Sequence, residues 1–333
     1  MKVKKILVMI MVLALGMSLL SGCGKQETQE ATAELGEENA STEGGMTIGF
    51  SIATLQYPYY VSMLEGFEKA CKEKGWESII SDANLDAEKT INDCYDMILK
   101  GIDALVISSW YGDALLDVFE QCKKESIPVF LIDTGSAPDT GEFVTNIGTN
   151  NFDAGYYGGH WAAQYFTKNG KEEINFITFL NATTPARDRA DGFLKGLEEG
   201  GLKVNVLNEY LGESRESYMA SCEDALVTYP EIDLIYGTSA QASLGAYDAC
   251  EGANRKDIKI IGFDCEDEER QLIDEGTNYI ASIMQLPYEM AVATIQNIYD
   301  YINNGAIFEK QTPYKSGVYC VDGELMTDDI VSN

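Results

Sequence analysis

The sequence predicts an α/β protein built of two doubly wound parallel-sheet lobes. Three observations lead there. From Met46 onward, short apolar runs rich in branched residues alternate with patterns of helical period. The same alternation begins again in a second half of the chain. The stretch from Met46 to Asn333 is also long enough for two ordinary domains rather than one.

The first lobe is expected to open with the strands "TIGFSIA", "ESIISD", "DALVISS" and "PVFLID". Helices are expected between them at about Pro58–Lys74, Ala87–Lys100 and Asp113–Lys124. In the first helix Tyr60, Leu64, Phe67 and Cys71 recur at i, i+4, i+7 and i+11, which is one helical face. Pro58 suits the first turn, where no backbone donor is needed. The second lobe is expected to hold the strands "INFITFL", "KVNVLNEY", "DLIYGTS", "IKIIGFD" and "YIASIMQL". Its helices are expected near Arg187–Glu199, Ser217–Thr228, Ala242–Cys250 and Glu266–Glu275. "GYYGGH", from Gly155 to His160, lacks the phosphate-loop pattern and reads as close helix packing. Strands linked by helices imply a parallel sheet covered on both faces. The chain is expected to cross between lobes near Gly148, Gln285 and Pro313. That hinge of three segments assigns 46–148 with 286–313 to one lobe and 149–285 with 314–333 to the other.

The N-terminal residues belong outside the fold. Lys2, Lys4 and Lys5 precede the apolar run Ile6 to Leu20, so residues 1–22 read as an export signal. "LSGC" then resembles the lipobox of bacterial lipoproteins, with Cys23 as the lipidated residue. Residues 23–45 are acidic and nearly free of large apolar side chains, and read as a disordered tether. The formal net charge is -30 with no Lys/Arg cluster, which excludes a nucleic-acid partner. The remaining cysteines are widely spaced, with no C-x-x-C pair, and read as small buried apolar residues. A single histidine, His160, offers little for a zinc site or a nucleophilic triad. No metal, cofactor or catalytic residue is expected.

In open parallel sheets, ligands sit beyond the carboxyl ends of the strands. That rule selects Thr54 to Tyr60, Ser108 to Tyr111, Asp133 and Thr134 in the first lobe. In the second it selects Asn181 to Arg187, Thr238 to Gln241 and Asp264. A sugar has apolar C–H faces for rings to cover and a rim of hydroxyls for charged and amide groups to bind. Tyr59, Tyr60 and Trp110 with Asp133, Arg187, Asp264 and Gln285 would make such a site. Each residue also has a plainer reading. Tyr60 lies on a core face, Asp264 before "CEDEER" could cap a helix, and Arg187 and Arg189 could be solvated helix charges.

The segments "TIGFSIATLQYPYYVSMLEGFEKACKEKG", "DALVISS", "IPVFLID", "ARDRADGF", "IIGFD" and "ASIMQLP" together resemble bacterial substrate-binding proteins of sugar ABC transporters, in particular the ribose-binding group. The resemblance covers Met46 to about Tyr319 and implies a type I periplasmic-binding-protein fold. By it, ring-stacking aromatics fall on Tyr59 and Tyr60, carboxylates on Asp133 and Asp264, and an arginine on Arg187. The hinge glutamine falls on Gln285, and Thr149 and Asn151 match polar residues at the first crossing. The chain departs from the ribose binders at Tyr57, Thr134 and Ser239, where they have asparagine, arginine and asparagine. A second-lobe aromatic maps near Glu213. These departures point away from ribose itself and toward another pentose, a hexose, a polyol or a sugar-like signal.

The resemblance implies a monomeric solute-binding lipoprotein on the outer side of the cell membrane. It would capture a monosaccharide or polyol and deliver it to an ABC permease with its ATPase. A receptor feeding a chemotaxis or sensor-kinase pathway has the same sequence features. A glycoside hydrolase would use Asp133 and Asp264 as its paired carboxylates. A sugar-responsive repressor would need a DNA-binding segment where the export signal and tether stand.

Overall fold

The structure is a computed structural model and describes residues 45–134 and 142–326. The expected signal, Cys23 and the tether lie outside the described residues, apart from Gly45. The first sheet contains β1 (Thr47–Ile52), β2 (Glu77–Asp82), β3 (Ala104–Ile107), β4 (Val129–Ile132), β5 (Asn146–Thr149) and β11 (Gln311–Tyr314). Their order is β11-β5-β4-β3-β1-β2, with every pairing parallel. The second sheet contains β6 (Glu173–Leu180), β7 (Lys203–Leu211), β8 (Leu234–Gly237), β9 (Lys259–Asp264), β10 (Tyr279–Met284), β12 (Gly317–Cys320) and β13 (Gly323–Met326). Its order is β13-β12-β10-β9-β8-β6-β7. Counted from its own first strand, each sheet therefore runs 2-1-3-4-5. The second differs at one edge, where β12 joins β10 and β13 in antiparallel pairings. That edge is a hairpin added by the chain's last described residues, a departure from the all-parallel expectation.

The helices are α1 (Pro58–Glu73), α2 (Ala87–Leu99), α3 (Leu116–Lys124), α4 (Asn151–Lys168), α5 (Thr184–Glu199), α6 (Arg215–Thr228), α7 (Ala240–Gly252), α8 (Asp267–Asp274) and α9 (Pro287–Asn304). Local chemistry sets their ends. Pro58 opens α1, Asp86 caps α2 by accepting from Lys89 N, and Gly305 closes α9 in the left-handed region at φ 62. A 3₁₀ turn, Gly112–Leu115, leads into α3. Strands β3, β4, β8 and β10 are buried along their whole length, as strands covered by helices on both faces must be.

The chain changes sheet three times. It leaves the first sheet after β5, returns after β10 into α9, which packs on α1, and leaves again between β11 and β12. Thr149 and Tyr314 still pair with one another in the first sheet, one residue beyond the boundaries read from sequence. In the second lobe α4 lies directly against α5. A Cβ on Gly155 would collide with the Arg189 carbonyl, and one on Gly159 with that of Phe193. The "GYYGGH" segment is thus a helix-packing surface, and it fixes where α5 holds its arginines.

Candidate functional site

The carboxyl ends of both sheets border one cavity of about 780 Å³. Its first-lobe wall is the turn from β1 into α1. Tyr57 ends the turn, and Tyr59 and Tyr60 occupy the first helical turn with their rings edge to face, centroids 5.1 Å apart. Trp110, after β3, donates from Nε1 to Tyr60 Oη at 2.7 Å. Burial, followed by the charge of Asp133, raises the Tyr60 phenol above its ordinary value, so the ring stays neutral. Tyr59 is half-buried in the wall, and its hydroxyl oxygen has no partner within hydrogen-bond geometry among the described residues.

Asp133 follows β4 in the left-handed region at φ 46, its backbone N–H bonded to Ile147 O. Burial pushes its carboxyl up to about 6. Arg189 and the nearby Tyr59 hydroxyl pull it down, and Asp264 adds a smaller upward push. Thr134 also lines the cavity, but its hydroxyl donates to Ile107 O at 3.2 Å, leaving the oxygen as an acceptor only.

The hinge strands supply the next groups. Thr149 Oγ1 donates to Gln285 Oε1 at 2.8 Å, and Gln285 Nε2 donates to Asp264 Oδ1 at 2.7 Å. Gln285 thus joins a residue of the first sheet to the carboxylate of the second. Asp264 ends β9 at φ 100, followed by Cys265 at φ 60. It does not cap α8, which begins after Glu266. Its Oδ2 instead accepts from Ala240 N at the start of α7. Ser239 caps α7, its Oγ accepting from Ala242 N. Burial is the main reason the Asp264 carboxyl is raised, and Arg189 opposes it.

The arginine of this site is Arg189, not Arg187. Arg189 Nε donates to Asn151 Oδ1 at 2.8 Å, and Nη1 donates to Thr238 O at 3.0 Å. Nη1 also stands 3.7 Å from Asp264 Oδ1, and the guanidinium lies over the Phe263 ring. Arg187 is 44 % exposed against 12 % for Arg189, and it pairs with Glu209 and Asp191 outside the cavity. Two residues turn a helix by about 200°, so the two arginines leave opposite sides of α5. The buried stripe Ala186, Ala190, Phe193, Leu197 marks the inward side. Arg189 follows Ala186 by three and precedes Phe193 by four, a signal the sequence reading did not use.

Of the other residues singled out from sequence, Tyr57, Tyr59, Tyr60, Trp110, Asp133, Thr134, Thr149, Asn151, Ser239, Asp264 and Gln285 line the cavity, whereas Thr54, Ser108, Ser109 and Tyr111 are not among its lining residues. Glu213 does too, and the second-lobe aromatic beside it is Tyr218, whose hydroxyl donates to Gly212 O at 2.6 Å.

Behind Asp264 lies a second polar layer that the sequence did not disclose. Glu269 of α8 is fully buried. Its Oε1 accepts from Tyr279 Oη and from Ser282 Oγ at 2.8 Å, and its Oε2 accepts from Glu266 N at 2.8 Å. Ser282 Oγ in turn accepts from Cys265 N at 3.1 Å. This chain of bonds ties the left-handed Asp264–Cys265 turn to β10. Gly262 leaves the room, because a Cβ there would strike Tyr279 Oη and Glu269 Oε1. Burial, then the charge of Asp264, pushes the Glu269 carboxyl up to about 8.

The arrangement brings an aromatic wall into one cavity with two carboxylates, one clamped guanidinium and an amide. It suits a small ligand with an apolar face and several hydroxyls. The profile of the periplasmic binding protein domain matches residues 48–306. The ribose import binding protein of Bacillus subtilis is 29 % identical over 255 residues, 76 % of this chain and 79 % of that protein. The HTH-type transcriptional repressor PurR of Actinobacillus pleuropneumoniae is 28 % identical over 223 residues, 66 % of this chain and 63 % of the repressor. Among solved structures, the arabinose binding protein AraP of Geobacillus stearothermophilus superposes with a TM-score of 0.73 at 21 % identity, covering 84 % of this chain and 98 % of that one. That likeness concerns the fold.

Proposed function

This chain belongs to the periplasmic binding protein family, and from that premise we propose that it captures an uncharged monosaccharide or polyol between its lobes and hands it to an ABC permease and its ATPase. The observation that carries this reading is the Tyr59–Tyr60–Trp110 wall lining the same cavity as Asp133, Arg189, Asp264 and Gln285. The rings cover a sugar's C–H face. The carboxylates accept its hydroxyl protons while Arg189 and Gln285 donate to its oxygens. Because ligand contacts come from both lobes, binding favours their closure by hinge motion, and the closed form is what the permease reads. Binding requires no covalent step.

Thr134 in place of an arginine leaves the pocket with four carboxyl groups, Asp133, Glu213, Asp264 and Glu266, and a single guanidinium. Sugar acids are therefore repelled, and ribose loses a bidentate donor. The lobes are held at the outer membrane face by lipid on Cys23 and an acidic tether, and the protein acts as a monomer. A melting and tryptophan-fluorescence screen against pentoses, hexoses, polyols and sugar acids tests the reading. A neutral member of the panel should raise Tm and change Trp110 emission. No shift from any neutral sugar or polyol would refute it.

A further inference from the structure

All seven cysteines among the described residues are buried free thiols, and four of them fall at equivalent places in the two lobes. The order 2-1-3-4-5 shared by the two sheets makes α2 the counterpart of α6 and α3 the counterpart of α7. Cys94 is the eighth residue of α2, and Cys222 is the eighth of α6. Cys122 lies on α3 and Cys250 on α7. The interval from Cys94 to Cys122 equals that from Cys222 to Cys250.

Each pair also shares one core, Cys222 with Cys250 in one cluster and Cys94 with Cys122 in another. Cys222 Sγ reaches the carbonyl of Ala246 at 3.7 Å. Ala246 is one helical turn before Cys250 and on the same face. The neighbouring Cys250 thiol, with burial, raises the Cys222 thiol above its ordinary value. Burial, then the neighbouring Cys122, raises Cys94. Cys71, Cys265 and Cys320 show no such pairing.

We propose that Cys94–Cys122 and Cys222–Cys250 are two latent disulfides, one per lobe, each able to tie the second helix of its lobe to the third. A low-molecular-weight disulfide suffices as the oxidant. One protein thiol loses its proton and attacks a reagent sulfur. The reagent S–S bond breaks, and one reagent thiolate leaves and takes up that proton. The second protein thiol then loses its proton and attacks the protein sulfur of the mixed disulfide, expelling the other reagent thiolate, which is protonated in turn. Two protein thiols are oxidised to one disulfide and one reagent disulfide is reduced to two thiols. Burial of all four thiols makes the folded protein slow to react, so the bridges form under sustained oxidation or during folding.

The test incubates the full chain at pH 8.5 with excess hydroxyethyl disulfide until its free-thiol content stops falling. Remaining thiols are then alkylated, and the protein is mapped by mass spectrometry without reduction. Cross-linked peptides joining Cys94 to Cys122 and Cys222 to Cys250 are expected, with Cys71, Cys265 and Cys320 recovered alkylated or as reagent adducts. Tm should rise by roughly 5–15 °C and return to its starting value on reduction. Either pair recovered unbridged, or bridged to another partner, overturns the proposal.

Discussion

Arg189 and Asp264 meet in the cleft, Nη1 3.7 Å from Oδ1, with Arg189 also held by Asn151 and Thr238 and Asp264 by Ala240 and Gln285. The guanidinium is thereby fixed before any ligand arrives. Arg189→Ala should weaken binding of the best panel ligand by roughly 100-fold or more, because it leaves two neighbouring buried carboxylates without their cation. Arg187→Ala should leave the affinity unchanged within about threefold, since its surface pairs are worth little. Calorimetric titration of both variants checks the assignment.

Asp133 gives the pocket a pH dependence. Its folded value of about 6 lies above the ordinary carboxylate value of about 4. The folded chain therefore holds a proton that the unfolded chain has released across that window. This group's contribution to stability is fully present below about pH 4 and is lost as pH rises through 6. Ligand affinity runs the other way, because hydroxyl recognition uses the ionised form. It should fall by up to about tenfold per pH unit below 6. Asp133→Asn should abolish that slope, raise Tm at pH 8 and bind ligand poorly. A pH-independent affinity between pH 5 and 7 in the wild type would count against this role.

Glu269 is raised further, to about 8, so the same sign applies over a wider window. Its stabilising contribution is fully present below about pH 4 and is lost as pH climbs through 8. Glu269→Gln should match the wild type at pH 5 and melt higher than it at pH 9. Glu269→Ala strands the Tyr279, Ser282 and Glu266 donors and should lower Tm at both pH values. Melting curves of the three proteins at pH 5 and pH 9 decide the matter.

Gly155→Ala should damage stability and binding together. The added methyl meets the Arg189 carbonyl, so α4 and α5 must separate, at a cost of about 1–3 kcal/mol. Arg189 moves with α5. Chemical denaturation with a parallel ligand titration measures both losses, and a variant with wild-type affinity would show that Arg189 tolerates the shift.

Much of this was legible in the residues. The run from Thr47 to Gly75 declares strand, turn and helix by composition, and Tyr60 lies on the apolar face as its spacing requires. Asp133 and Asp264 are selected by the strand-end rule, and both line the cavity. The arginine was misassigned because "ARDRAD" offers two, and the choice depends on helix phase against the Ala186–Phe193 stripe. Glu269 was illegible for a different reason. Inside "CEDEER" it looks like one more solvated acid. Its burial is created by Gly262, Tyr279 and Ser282, which come from other strands. The antiparallel edge of β12 and β13 is likewise a tertiary choice, since four-residue strands carry no mark of direction.

The central claim is that both lobes grip one neutral polyhydroxylated ligand through Tyr59, Asp133, Arg189 and Asp264. It is tested most directly by a crystal structure of the chain with the panel's strongest ligand. The account predicts one molecule, its C–H face on the Tyr59 and Tyr60 rings and its hydroxyls within hydrogen-bond distance of Asp133, Arg189 and Asp264. A ligand seated elsewhere, or touching residues of one lobe alone, would contradict it.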